Sequence, residues 1–251
     1  MIWVKGLTKQ YGKIKALDNV SFKIRTGEIF GIVGPNGAGK STLISIISTV
    51  LKPTTGDVLV DQHSIIEHPA RVREKIGYVP QEIALYSSLS VIDNLKFWAG
   101  ISRTSTKKIT DNDIKHIVSI VGLQEKLGAK VSQLSGGMKR RLNIAVAMLN
   151  NPEIIIMDEP TVGVDIQSRR EIIKFIKKLA SQGKTIIYTS HSSEEIEMLC
   201  DRIVLLNAGK LLFEGSLEEA KQQAAERNIQ SLYGDQSPRL DDILCYLGHW
   251  E

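Results

Sequence analysis

The segment Gly34-Pro35-Asn36-Gly37-Ala38-Gly39-Lys40-Ser41-Thr42 constrains this chain more than any other stretch. It has the form G-x-x-x-x-G-K-[ST] and lies between two apolar runs, Ile29-Phe30-Gly31-Ile32-Val33 and Leu43-Ile44-Ser45-Ile46-Ile47. The first run reads as a buried strand and the second continues as a helix. A strand that feeds a glycine loop onto a helix start aims backbone N–H groups and the positive end of the helix dipole at an anion. Gly37 and Gly39 allow close backbone approach, Lys40 reaches β- and γ-phosphates, and the Ser41 hydroxyl is placed to ligate Mg²⁺. The expected ligand is a nucleoside triphosphate.

Strand-like runs recur along the chain. Ser21-Phe22-Lys23-Ile24 alternates, Val58-Leu59-Val60 follows the Thr55-Gly56-Asp57 turn, and Ile76-Gly77-Tyr78-Val79 ends at Pro80. From about Glu82 to Asn150 the pattern is helical. Buried strands then return at Glu153–Met157, Thr185–Thr189 and Arg202–Leu206. Between the first two lies a helix capped by Asp165, striped by Ile172, Ile173, Phe175, Ile176 and Leu179, and ended at Gly183. Strands alternating with helices imply a mainly parallel sheet, here interrupted by a helical insertion. At 251 residues the chain is long enough for one substantial core with subdivisions.

A net charge of +4 is too small for this length to argue for nucleic acid. Cys200 and Cys245 have neither metal nor redox spacing. The start, Met1-Ile2-Trp3-Val4-Lys5-Gly6, carries no signal peptide, and no apolar stretch has the length of a membrane span. Any membrane-spanning part would therefore belong to another chain.

Two further segments carry chemistry. Ile154-Ile155-Ile156-Met157-Asp158-Glu159 puts two carboxylates at the end of a buried strand, where ligands of parallel sheets bind. Asp158 suits the metal shell, and Glu159 is placed to polarise an attacking water. Ser135-Gly136-Gly137-Met138-Lys139-Arg140-Arg141-Leu142 opens a helix with Ser135 as N-cap. Its bases sit where the helix dipole disfavours cations, which points either to an anion docking on the helix end or to nearby acids pairing with them.

Leu134-Ser135-Gly136-Gly137 between a P-loop and an Asp-Glu strand resembles the signature of ATP-binding cassette (ABC) ATPases, and the likeness spans about residues 1–215. The resemblance implies a P-loop NTPase, RecA-like α/β fold: a mainly parallel core, an N-terminal antiparallel β subdomain, and an α-helical insertion at about 82–150. Residues 216–251 follow as a helical tail, with a capping box at Ser216-Leu217-Glu218-Glu219 and a second helix bearing Leu240, Ile243, Leu244 and Leu247. The tail packs on its own domain or contacts a partner.

The resemblance also implies ATP and Mg²⁺ as ligands. It assigns Tyr11 to the adenine and Gly34 to Thr42 to the phosphates. Ser135, Gly136 and Gly137 fall to a γ-phosphate held by a second copy, and Ser41, Gln81 and Asp158 to the metal. Glu159, His191 and Gln81 fall to catalysis, and Val164-Asp165 to the loop that crosses the dimer interface. Met138 stands where many members have glutamine. With Lys139-Arg140-Arg141, Gly77–Glu82 and the Thr161–Asp165 loop, it resembles the ABC-2 exporter branch, rich in drug-resistance proteins.

The implied protein is an ATPase at the cytoplasmic face of the membrane. It dimerises on ATP, with itself or a related cassette, and drives a permease on a separate chain to export a drug, peptide or lipid-like cargo. Tyr86, Leu89, Leu95, Phe97 and Trp98 are candidates to receive that partner or to fill the insertion's core. The alternative is a soluble ABC ATPase without a membrane partner.

Overall fold

A computed structural model describes residues 1–101, 109–226, 240 and 242–243. Its frame is a six-stranded sheet in the order β10-β9-β3-β8-β7-β6. The strands are β3 (Ile29–Val33), β6 (Ile76–Val79), β7 (Ile154–Asp158), β8 (Thr185–Thr189), β9 (Arg202–Asn207) and β10 (Lys210–Ser216). Every neighbouring pair is parallel except β9–β10. These strands read as continuous apolar runs because both faces are covered. Ile154, Ile156, Ile187, Val204 and Leu206 face one core, while Ile155, Met157, Ile186, Tyr188, Ile203 and Leu205 face the other.

The first core lies against an antiparallel sheet in the order β2-β1-β4-β5. It comprises β1 (Ile2–Tyr11), β2 (Ile14–Ile24), β4 (Thr55–Val60) and the short β5 (His63–Ser64). Period-two alternation turns Ile2, Val4, Val20, Phe22, Ile24, Val58 and Val60 inward, where Phe22 stacks on Phe30 of β3 at 5.5 Å. Outside, Lys5 Nζ and Lys23 Nζ lie 3.8 and 4.4 Å from the Trp3 ring. Helix α1 (Lys40–Ile47) fills the same core with Leu43, Ile44, Ile46 and Ile47. A helix the sequence reading did not anticipate, α2 (Pro69–Lys75), precedes β6, with Pro69 in its first turn and only Val72 buried.

The second core is roofed by helices. Between β6 and β7 run α3 (Val91–Ile101), α4 (Asp111–Ile120) and α5 (Gly136–Ala147). Then come α6 (Ile166–Ser181) and α7 (Ser193–Leu199) on either side of β8. The stripe Ile172, Ile173, Phe175, Ile176 and Leu179 of α6 is buried as its spacing requires, and Gly183 follows at φ 83°. After β10, helix α8 (Leu217–Glu226) opens with Ser216 and Glu219 bonded reciprocally at 2.6 and 3.1 Å. Leu240 and Ile243 pack into the helical core, and Leu240 N–H donates to Glu197 at 2.7 Å. Leu244, Leu247 and Cys245 lie outside the described residues. Among the described residues no helix is long and apolar enough to cross a membrane.

Candidate functional site

Four adjacent parallel strands, β3, β8, β7 and β6, end on the same side of the sheet, and each delivers one part of the site. The glycine loop follows β3, His191 follows β8, Asp158 and Glu159 end β7, and Gln81 follows β6. Residues Pro35 to Thr42, with Ala16, Gln81, Glu159 and His191, enclose a cleft of about 400 Å³. Strand order thus assembles groups that are 150 residues apart in the chain.

The loop is shaped to expose donors. Gly39 caps α1 at φ 104°, and a Cβ there would lie 2.4 Å from the Ala16 carbonyl. A side chain is excluded on both grounds. No side chain caps this helix start and no acid occupies its first turn, so its N–H groups suit an anion. Lys40 is buried and donates to the Gly34 and Pro35 carbonyls at 2.7 and 3.1 Å. Burial lowers its pKa, against the pull of Glu159 and Asp158. Ser41 is exposed beside it.

The acidic side is tightly organised. The Thr189 hydroxyl donates to Asp158 Oδ1 at 2.8 Å and accepts from Glu159 N–H at 3.0 Å, tying β8 to the end of β7. Glu159 is 6% exposed and held at φ 47°, a left-handed conformation that costs a non-glycine residue about 1–3 kcal/mol and that clusters at functional sites. Its Oε1 lies 2.7 Å from His191 Nε2, and its Oε2 accepts from Gln81 Nε2 at 3.0 Å. Glu159, His191 and Gln81 therefore meet in one cluster facing the glycine loop. Tyr11 lies outside the lining of that cleft, its ring exposed at the end of β1 with Lys9 Nζ 5.1 Å away.

Ser135 caps α5, accepting from Met138 N–H at 3.3 Å. Ser135 and Gly136 are exposed and are absent from the lining of the cleft. Gly137 is buried, because a Cβ there would fall 2.0 Å from Ser168 Oγ. That hydroxyl donates to Asp165 Oδ2 at 2.7 Å, and Asp165 caps α6 through Ser168 N–H at 2.9 Å. Backbone and side-chain bonds from Ser168 hold the Asp165 carboxyl below its usual range. The two helix starts are thus packed together.

The two arginines of the basic run are taken up within the fold, Arg141 by a nearby acid as one of the two readings expects. Arg140 is buried and donates to the carbonyls of Pro80 (3.3 Å), Gln81 and Val162 (3.3 Å). Arg141 pairs with Glu171 at 3.3 Å and donates to the Val121 carbonyl. Carbonyls and an acid of the fold thus receive both guanidiniums, which offsets their conflict with the dipole. Arg140 is a site-organising residue the sequence reading missed. Its partners are backbone carbonyls, which leave no mark in a sequence.

The insertion also sorts its candidates. Leu95 is fully buried and belongs to the core. Exposed Tyr86 and Phe97 form an aromatic cluster with half-buried Trp98, with ring centroids 4.6 Å (Tyr86–Phe97) and 5.7 Å (Phe97–Trp98) apart, and Trp98 also packs on the helical core. Buried Asn94 bonds both the N–H and the carbonyl of Tyr86, at 2.8 and 2.9 Å. Leu89 is half-buried.

A glycine loop on the central strand, an acidic pair two strands away and a helical insertion between β6 and β7 define a P-loop ATPase of the cassette class. The family model described as ABC transporter matches residues 17–162, more than half of the chain, and the chain belongs to that family. The linearmycin resistance ATP-binding protein LnrL of Bacillus subtilis (strain 168) is 44% identical over 219 residues, which are 86% of this chain and 69% of that protein. The Nod factor export ATP-binding protein I of Cupriavidus metallidurans is 34% identical over 98% of this chain and 81% of its own length. Among solved structures, the dimeric post-hydrolysis ATP-binding cassette MJ0796 bound to ADP and Pi superposes with a TM-score of 0.77. It is 31% identical and covers 86% of this chain and 99% of its own. The chain is an ATP-binding, ATP-hydrolysing member of the family.

Proposed function

We propose that this chain is the motor subunit of an exporter, working as an ATP-dependent dimer beneath a membrane-spanning subunit on another chain. The observation that carries the dimer is the separation of two anion-seeking helix starts. One, at Lys40, opens into the cleft, while the other, at Ser135 and Gly136, is exposed elsewhere. Two copies placed head to tail about a twofold axis let each exposed start meet the phosphate held by the other. The solved cassette described as dimeric supports pairing of two copies.

In this reading Gly34 to Thr42 cradle the phosphates, with Lys40 on the β- and γ-groups. Glu159 orients and deprotonates the attacking water, and His191 and Gln81 hold that carboxylate in place. Ser135 and His191 stabilise charge on the γ-phosphate. The oxygen donors of Ser41, Asp158 and Gln81 fit Mg²⁺, which is held by one or two carboxylates plus substrate phosphates. When bound, the ion neutralises charge on the phosphates. Tyr11, exposed at the end of β1, offers its ring to the adenine.

Coupling falls to the insertion. Tyr86 and Phe97 are exposed aromatics backed by the half-buried Trp98, on a backbone anchored by Asn94 a few residues after Gln81. Relatives named for linearmycin resistance, Nod factor export and multidrug transport support the export reading. The test is purification of the tagged chain from its native membranes in mild detergent, with mass spectrometry. A stoichiometric polytopic membrane protein is the expected companion. A chain recovered alone, or with ribosomes or DNA, overturns the exporter reading.

A further inference from the structure

Glu195 lies in the first turn of α7, outside the cleft, and is 2% exposed. Three hydroxyls from separate positions converge on its Oε2: Thr161 Oγ1 at 2.8 Å, Tyr188 OH at 2.7 Å and Ser190 Oγ at 2.7 Å. Its Oε1 faces Arg169 Nε of α6 at 3.2 Å. A carboxylate taken out of water needs such partners, and hydroxyl bonds of this length to an ionised oxygen are among the stronger ones.

The donors are informative by position. Ser190 immediately precedes His191. Its hydroxyl, while donating to Glu195, also accepts from Ser192 N–H at 3.0 Å, and Ser192 Oγ accepts from Glu195 N–H at 3.4 Å. The turn bearing His191 is thereby closed around Glu195 from both sides. Thr161 lies two residues beyond Glu159, whose strained backbone needs restraint from its surroundings. Arg169 sits one turn into α6, its N–H bonded to the carbonyl of the Asp165 cap. One buried carboxylate thus holds the segments carrying both members of the 2.7 Å Glu159–His191 contact, and links them to the Asp165 loop.

We infer that Glu195 is a positioning residue for hydrolysis: it sets the His191 turn against the Glu159 loop without touching nucleotide. This rests on the reading that Glu159 and His191 act together on the γ-phosphate. Displacing reacting groups by about 1 Å costs on the order of 10²-fold in rate, while phosphate binding by the glycine loop is untouched. The signature is therefore a fall in kcat with little change in KM. Glu195→Gln keeps the volume, but its amide turns an N–H group toward either the hydroxyl donors or Arg169.

Steady-state ATPase kinetics test this in wild type, Glu195→Gln, Thr161→Val, Ser190→Ala and Glu159→Gln. Ile176→Val, a core change in α6 remote from these loops, is the comparison for lost stability. The expected result is a fall in kcat of at least about tenfold for Glu195→Gln, with KM for ATP within about threefold. Thr161→Val and Ser190→Ala should each lose severalfold, and Ile176→Val should stay near wild type. Glu195→Gln within twofold of wild-type kcat, a change confined to KM, or an equal loss in Ile176→Val overturns the inference. If Glu195→Gln does not fold, the two single-donor variants decide, and both within twofold of wild type overturn it. Full activity in Glu159→Gln refutes the underlying site reading instead, whatever Glu195→Gln does.

Discussion

Replacing Arg140 by methionine keeps length and helix propensity while removing the donors that join the Gln81 loop to the Val162 loop. The guanidinium reaches three carbonyls from a side chain 5% exposed. A buried carbonyl left without a donor costs about 1–3 kcal/mol. Gln81 and Val162 are themselves exposed, so water reaches both loops, and the Pro80 carbonyl keeps Asn143 Nδ2 at 3.5 Å, which puts the penalty at the low end of that range. The variant also escapes the cost of burying a cation, a cost visible in the guanidinium pKa, which burial lowers. The expected net loss is about 1 kcal/mol, or roughly 2–4 °C in Tm for a chain of this size, by thermal unfolding followed by circular dichroism. Arg140→Lys should resemble the methionine variant, since one ammonium does not span two loops as a planar fork does. Both should hydrolyse ATP more slowly, because Gln81 and the segment after Glu159 lose their common tether. An Arg140→Met chain within about 0.5 kcal/mol of wild type, with full activity, would refute the tether.

Gly137→Ala drives a methyl into Ser168, which caps α6 with Asp165. Urea unfolding should show a loss of about 1–2 kcal/mol despite alanine's better helix propensity, and Ser168→Gly should restore part of it in the double variant. Glu28 has its pKa raised from 4.5 by burial, which outweighs the Arg25 backbone bond and Arg202. The folded state then holds the proton more tightly than the unfolded chain, so this group's stabilising contribution is greatest below pH 4.5 and is lost as pH rises through the folded value. Glu28→Gln removes that slope, and its stability relative to wild type should climb over the same window. A difference independent of pH would contradict it.

The P-loop, the Asp158-Glu159 pair and the Ser135 cap were legible because each is a short run whose chemistry is written in neighbouring side chains. The α6 stripe was legible for the same local reason: period, cap and terminal glycine agree. What escaped depends on contacts distant in sequence. Arg140 ends on carbonyls, and the hydroxyls of Thr161, Tyr188 and Ser190 become a network only when β7, β8 and α7 pack together. Helical periodicity does not separate Leu95 from Phe97, and only packing shows that the first is core and the second joins an exposed aromatic cluster. Helix α2 carries no acidic first turn and a single buried residue, too little amphipathic pattern to announce itself.

The central claim is that ATP joins two copies by bridging the cleft of one to the exposed Ser135 end of the other. Analytical ultracentrifugation of Glu159→Gln with Mg²⁺-ATP tests it directly, because this substitution keeps the cleft while removing the base. A stable dimer that forms with ATP, dissociates on replacement by ADP, and is abolished by adding Ser135→Arg is the predicted result. A Glu159→Gln chain that binds ATP, no longer hydrolyses it and stays monomeric would contradict the account.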